Sequence, residues 1–129
     1  AIPGKTVSND QVTASLGSST TYLATFVIAV QNLNSWDSNP SLPAHASSGS
    51  TTVGVSYSTT NPKDFVFAAG TGCNGDGGQS WTGLTPLDGA ASEFADAYAI
   101  TSSAQSGASA TFGFGSSFVG IVLGAASST

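Results

Sequence analysis

His45 is the one histidine in the chain, so a Ser-His-Asp triad would have to be built around it. Serines are plentiful, but no Gly-x-Ser-x-Gly elbow presents one as a nucleophile. The setting Pro43-Ala-His-Ala-Ser reads as a surface loop. Glu93 and Asp96 stand three apart with Asp88 nearby. A glycosidase needs two carboxyls about 5–9 Å apart across a cleft, and nothing in this spacing sets up such a pair. They read as acids of a solvated loop. The segment Gly72-Cys-Asn-Gly-Asp-Gly-Gly places Asn74 and Asp76 as oxygen donors spaced like part of a calcium loop. The distal glutamate of the full pattern is missing, so a hairpin loop is expected there. The same glycines lack the Lys-Ser/Thr of a phosphate loop. Lys5 or Lys63, beside Asn61, Asp64 or Glu93, would have the chemistry for an isopeptide bond, but solvent-facing lysines are the simpler expectation. No catalytic residue and no cofactor is therefore expected, and the chain reads as a non-enzyme.

Composition narrows the partners. The 129 residues suit one domain and include two lysines, no arginine and seven acids, for a net charge of −5. Only 7% of residues are charged, against about 25% in an average protein. Nucleic-acid binding needs Lys and Arg to displace counterions from phosphates, and anionic membrane surfaces ask for the same. Neither is expected. At 40% hydrophobic the chain also lacks the low hydrophobicity of a disordered segment. Cys73 is alone, so no internal disulfide framework can form. It is read as a small buried hydrophobe, with a free or intermolecular thiol as the alternative. The longest apolar run, Tyr22 to Val30, falls far short of the roughly 20 residues of a membrane helix. The start at Ala1, without Met, is what removal of a signal peptide would leave.

The elements that must carry any site are strands. Thr51–Ser58 alternates, with Val53, Val55 and Tyr57 on one face and small or polar partners on the other. Lys63–Gly70 reads as a strand buried on both faces. Ser109–Gly115 puts Ala110, Phe112 and Phe114 on one side. Phe118–Leu123 is an apolar run too short and too glycine-rich for a helix. Tyr22–Val30 is β-branched and aromatic. Weaker strands are Val7–Leu16, Trp81–Leu87 and Phe94–Thr101, the last favoured over a short helix across Ala90–Ala99 because Phe94, Tyr98 and Ile100, with Asp96, share a face. Turns are expected at Gly17–Thr20, Asn39-Pro40, Asn61-Pro62, Gly72–Gly78 and Ser116-Ser117. Asn32–Ser50 is expected to be a long connection. Many short strands with such punctuation predict an all-β chain, a jelly-roll or Ig-like β-sandwich.

One internal echo bears on completeness. Val7 to Ser19, followed by Tyr22–Val30, is a strand, a small-residue turn and an apolar strand. Gln105 to Ser117, followed by Phe118–Leu123, repeats that order. The second copy has three strands before it, and the first has only Ala1–Thr6. The chain would then hold one and a half copies of a β unit, and its sandwich would be incomplete, closed by a strand from a neighbouring subunit.

Three stretches carry a family resemblance: Asp37-Ser-Asn-Pro-Ser-Leu-Pro, then Thr52-Val-Gly-Val-Ser-Tyr-Ser-Thr-Thr-Asn-Pro-Lys-Asp-Phe-Val-Phe-Ala-Ala-Gly, then Ala91-Ser-Glu-Phe. Together they resemble repeated β-sandwich domains of archaeal secreted surface proteins, over most of residues 7–126. In architecture the chain is also similar to archaeal thread-type filament subunits, whose β-rich head accepts the N-terminal strand of the next subunit. The resemblance implies an extracellular, cell-surface location and no enzymatic activity. One departure is that such filaments are often N-glycosylated, whereas Asn39-Pro40-Ser41 has a proline inside the only near-match to an acceptor site.

The expected organisation follows. Residues 1–16 form an N-terminal donor strand and residues 17–129 a head. Ile2, Val7, Val12, Ala14 and Leu16 would supply the apolar contacts of the donor, although Val7 falls on the opposite face from Val12, Ala14 and Leu16. The partner would be the chain itself, in a homopolymer such as a pilus or thread. The alternative is a monomeric adhesion or carbohydrate-binding module, with Trp36, Trp81, Tyr57 or Tyr98 gathered on one exposed face. A jelly-roll coat protein of a closed shell is a third reading.

Overall fold

The computed structural model describes residues 11, 13, 15, 17–18, 28–72, 78–87, 94–115 and 118–128. Among them are nine strands and no helix: β1 (Leu33–Trp36), β2 (Ala44–Ser48), β3 (Thr52–Tyr57), β4 (Asp64–Gly72), β5 (Ser80–Thr82), β6 (Thr85–Pro86), β7 (Phe94–Ile100), β8 (Ala108–Gly113) and β9 (Val119–Ser128). The protein is all-β, and every strand pairing is antiparallel. A six-stranded sheet runs β1-β9-β4-β7-β6, with β2 also laid against β9. A three-stranded sheet runs β3-β8-β5.

The alternation read from the sequence places the core between these sheets. Val53, Val55 and Tyr57 of β3 point inward. Val66 and Ala68 of β4 and Val119, Ile121, Leu123 and Ala125 of β9 meet them from the larger sheet. Phe112 and Phe114 complete the core, with their ring centroids 6.4 Å apart. The two sheets come closest where the larger one carries no side chain. A methyl group added at Gly70 would sit 2.7–2.8 Å from three atoms of the Phe112 ring, and one at Gly72 would run into Phe114. Two aromatic rings from one sheet thus rest on the bare backbone of the other.

Five expectations need correction or extension. The connection expected over Asn32–Ser50 contains β1 and β2. Their signal is faint because Ala44-His-Ala-Ser-Ser has no bulky residue to mark the inward face, although Ala44 is buried in the core. His45, expected in a loop, is an exposed residue of β2, paired with Val122. The strand expected over Trp81–Leu87 is broken into β5 and β6. Gly83, at φ 85°, turns the chain from the smaller sheet to the larger, and a side chain there would collide with the Ser109 carbonyl. Finally, β9 outruns its apolar stretch and continues through Gly124 to Ser128. The expected strand Tyr22–Val30 lies outside the described residues up to Val27, and Ile28–Val30 is exposed and not in a strand.

Candidate functional site

Three features of the architecture are candidates for function. The first is the edge of β3. Phe114 N–H donates to the Thr51 carbonyl across the β3–β8 ladder. In an antiparallel pair, residues alternate between those bonded to the partner and those facing away. Thr52, Gly54, Ser56 and Ser58 therefore turn their backbone groups away from β8. At Ser58 a single hydroxyl stands in for a strand. Ser41 Oγ accepts from Ser58 N–H (2.9 Å) and donates to the Ser58 carbonyl (3.1 Å). Ser50 Oγ does the same at Thr52, accepting at 3.4 Å and donating at 3.0 Å. Between these two plugs Gly54 and Ser56 are exposed, and no strand among the described residues pairs with them. The edge carries no charged residue, although charged side chains are a common guard on such edges.

The second feature is the outer face of the six-stranded sheet. Because β4 is central, its outward residues Phe65, Phe67 and Ala69 are apolar too, and are half-buried. Along register rows they sit beside Ile100 and Ala126, Tyr98 and Gly124, and Asp96 and Val122. Phe65 stacks on Tyr98 with centroids 6.0 Å apart. Trp36 is 56% exposed, Ile100 76% and Val122 48%. A shallow hollow of about 370 Å³ on this sheet is lined by Ala46, Ala69, Thr71, Phe94, Gly120 and Val122, among others. Single exposed apolar residues are ordinary, but a contiguous set marks an interaction surface.

The third feature is a pair of buried acids where β1 and β9 end and β4 begins. Asp37 follows β1 directly, and its backbone N–H donates to the Ala125 carbonyl. Its Oδ1 accepts from Asn39 N–H (2.7 Å), which closes an Asx turn, and Oδ2 accepts from Thr60 N–H (2.7 Å), Asn61 N–H (3.1 Å) and Asn61 Nδ2 (3.1 Å). Burial alone would raise this carboxyl. The backbone donors at Asn39, Thr60 and Asn61, together with Asp64, outweigh that and bring it down to about 2. Asp64, the first residue of β4, is 1% exposed. Its carboxyl is pushed up, first by burial and then by the neighbouring Asp37, with Ser127 and Thr59 pulling the other way. Neither Asp64 oxygen receives a hydrogen bond.

The comparisons with known proteins add nothing to this geometry. No family model, curated protein or solved structure matches the chain.

The residues singled out from sequence fall as follows. The donor residues Ile2, Val7, Val12, Ala14 and Leu16, the oxygen donors Asn74 and Asp76, and Lys5, Cys73, Asp88 and Glu93 lie outside the described residues. Lys63 is exposed, whereas Asp64 beside it is buried. Lys63 lies in the bend before β4, and Asp64 begins the strand. Asp96 is a buried residue of β7. The four aromatics of the binding-module reading divide. Tyr57 is in the core and Trp81 lies half-buried against Phe112, with centroids 4.7 Å apart. Trp36 and Tyr98 belong to the outer face of the larger sheet. Among the described residues, no three His, Cys, Asp or Glu side chains gather as a metal cluster.

Sequence reasoning missed the pairing of Asp37 with Asp64. The signal was present in two turn motifs, Asp37-Ser-Asn-Pro and Asn61-Pro-Lys-Asp. Each puts a short polar side chain beside a proline, where it can bond to nearby backbone. Nothing local shows that the two turns meet.

Proposed function

We propose that this protein is the structural subunit of an extracellular filament, a pilus or thread, assembled by β-strand donation between copies. Residues 1–16 are the donor, and the head formed by the two sheets is the acceptor. The observation that carries this reading is the β3 edge, where Gly54 and Ser56 offer uncharged, exposed backbone between two serine plugs. A strand arriving there would extend the three-stranded sheet and replace the two hydroxyls with a regular ladder. Backbone bonds give such a contact its generic affinity, and alternate side chains of the donor give it register. The low charge of the chain and the absence of arginine favour close approach of copies. This reading places the protein outside the cell and gives it no catalysis.

Electron microscopy of the full chain and of a version lacking residues 1–16 tests the proposal. Filaments from the first and soluble folded heads from the second are the expected results. A full chain that stays monomeric at high concentration removes the reading.

A second reading, a monomeric glycan-binding module, draws on Trp36 and the stacked Phe65–Tyr98 pair on the outer face. Sugar rings pack on such aromatic surfaces. Binding on a glycan array, lost with Trp36→Ala and Tyr98→Ala, would support it, and no binding would set it aside.

A further inference from the structure

We infer that the outer face of the six-stranded sheet is a pairing surface for a second copy of this chain, distinct from strand donation at β3. Directly paired residues of antiparallel strands share a face, so the register arranges this one in rows. Trp36, Ala126, Phe65 and Ile100 form the first row, and Gly124, Phe67, Tyr98 and Thr85 the second. His45, Val122, Ala69 and Asp96 form the third, and Ser47, Gly120, Thr71 and Phe94 the fourth. The two ends differ in relief. Trp36 and Ile100 stand out at the first row, 56% and 76% exposed. The shallow hollow of about 370 Å³ lies over the third and fourth rows, where Ala69, Thr71, Gly120 and Val122 line it. Knobs at one end and a hollow at the other make the face complementary to itself.

A two-fold axis lying in the face, across the strands and between the second and third rows, sets one copy against the other. It puts the first row of each copy over the fourth row of the other. Trp36 then enters the hollow of the second copy beside Gly120, and Ile100 packs against Phe94. In the middle Phe67 lies over Ala69 and Gly124 over Val122, large against small. Sheets stacked in this way pack about 10 Å apart with their strands nearly aligned. Four rows across four strands, with strands about 4.8 Å apart and alternate residues about 6.7 Å apart, cover roughly 500 Å². Two such faces bury about 1,000 Å², the lower bound for a specific interface, which makes the pair a reversible one. Charge permits it as well. The rows contain no lysine, and their one acid, Asp96, is buried. A chain of net charge −5 thus meets its copy here without opposing like charges. An unrelated partner would need knobs and a hollow in matching places, whereas a second copy has them by symmetry.

Sedimentation equilibrium of the full chain carrying Ser56→Pro tests this, since that substitution removes an N–H that a strand added at β3 would use. The wild-type chain serves equally if it does not polymerise, so failure of the filament reading leaves this test standing. The mass should climb from one copy to two between roughly micromolar and millimolar concentration, and stop there. Trp36→Ala should weaken pairing about tenfold or more. Gly120→Leu fills the hollow from below, and its first carbon meets only ordinary contacts, Thr71 at 3.5 Å and Ala46 at 3.8 Å. It should weaken pairing as well, although it makes the face more apolar. Gly120→Ala, a milder filling with a smaller loss, replaces it should the leucine variant fail to fold. Pairing left unchanged or strengthened by filling the hollow, or growth beyond two copies, marks mere apolar adhesion. A single copy at every concentration leaves the face unpaired. Each of these results overturns the inference.

Discussion

Replacing Gly70 with alanine adds one methyl group where the two sheets approach closely, and the structure sets the sign and size of the effect. The new carbon would stand 2.7–2.8 Å from three atoms of Phe112, well inside the 3.5–4.0 Å separation at which carbon atoms attract. Phe112 cannot step aside. It is fully buried, with Trp81 at 4.7 Å on one side and Phe114 at 6.4 Å on another. The sheets must separate or the ring must leave its rotamer, and such overpacking costs about 1–3 kcal/mol. Gly124 is the control. It lies one strand away on β9, paired with Phe67, and a carbon built there meets nothing within 4 Å. Alanine at that position restricts the unfolded chain and should stabilise by about 0.4–1 kcal/mol. The two substitutions have the same chemistry and opposite expected signs. Urea unfolding of the head, followed by tryptophan fluorescence, measures both. Phe112→Leu introduced with Gly70→Ala should recover part of the loss, giving a coupling energy in a double-mutant cycle. Equal stability for Gly70→Ala and Gly124→Ala, or a loss in the second, would refute the claim that the rings seat on bare backbone.

Three further outcomes follow from the edge and the acids. Ser56→Pro removes an N–H that faces away from β8, so the head should unfold at nearly the same urea concentration while filament assembly, scored by microscopy or sedimentation, is lost. Asp37→Ala strips the acceptor from four N–H donors and should cost at least about 2 kcal/mol in the same urea assay. Stability should peak in mild acid. The lowered carboxyl of Asp37 contributes above the unfolded value near about 3.9, and its contribution is lost as pH falls toward about 2. The raised carboxyl of Asp64 contributes below that unfolded value, and its contribution is lost as pH rises through the folded one. Melting temperatures across pH check this, and Asp64→Asn should flatten the decline on the neutral side.

The central strands were legible in the sequence because their bulky residues repeat with the strand period. Val53, Val55 and Tyr57 declare one face of β3, and the run Phe65-Val-Phe-Ala-Ala declares a strand covered on both sides. The edges were much less legible. Ala44, His45 and Ala46 carry so little apolar contrast that β2 is fixed by its partner β9 and not by its own pattern. Gly83 divides Trp81–Leu87 through a backbone angle that side-chain periodicity does not encode. Of the candidate site, the uncharged small residues of β3 could be read, but their exposure depends on which strands lie beside them. The meeting of Asp37 with Asp64 is a tertiary fact, set by β1 and β4 flanking β9, and no spacing along the chain announces it.

The position of β9 has a consequence for biogenesis. This ten-residue strand lies between β4 on one side and β1 and β2 on the other, and it brings Val119, Ile121, Leu123 and Ala125 to the core. It is also the last of the described strands to leave the ribosome. Until residue 128 has emerged, the larger sheet lacks its middle and the core lacks four of its members. The head therefore cannot fold piecemeal from its N-terminal end. Closure of the larger sheet is thus a late step in the folding of the chain.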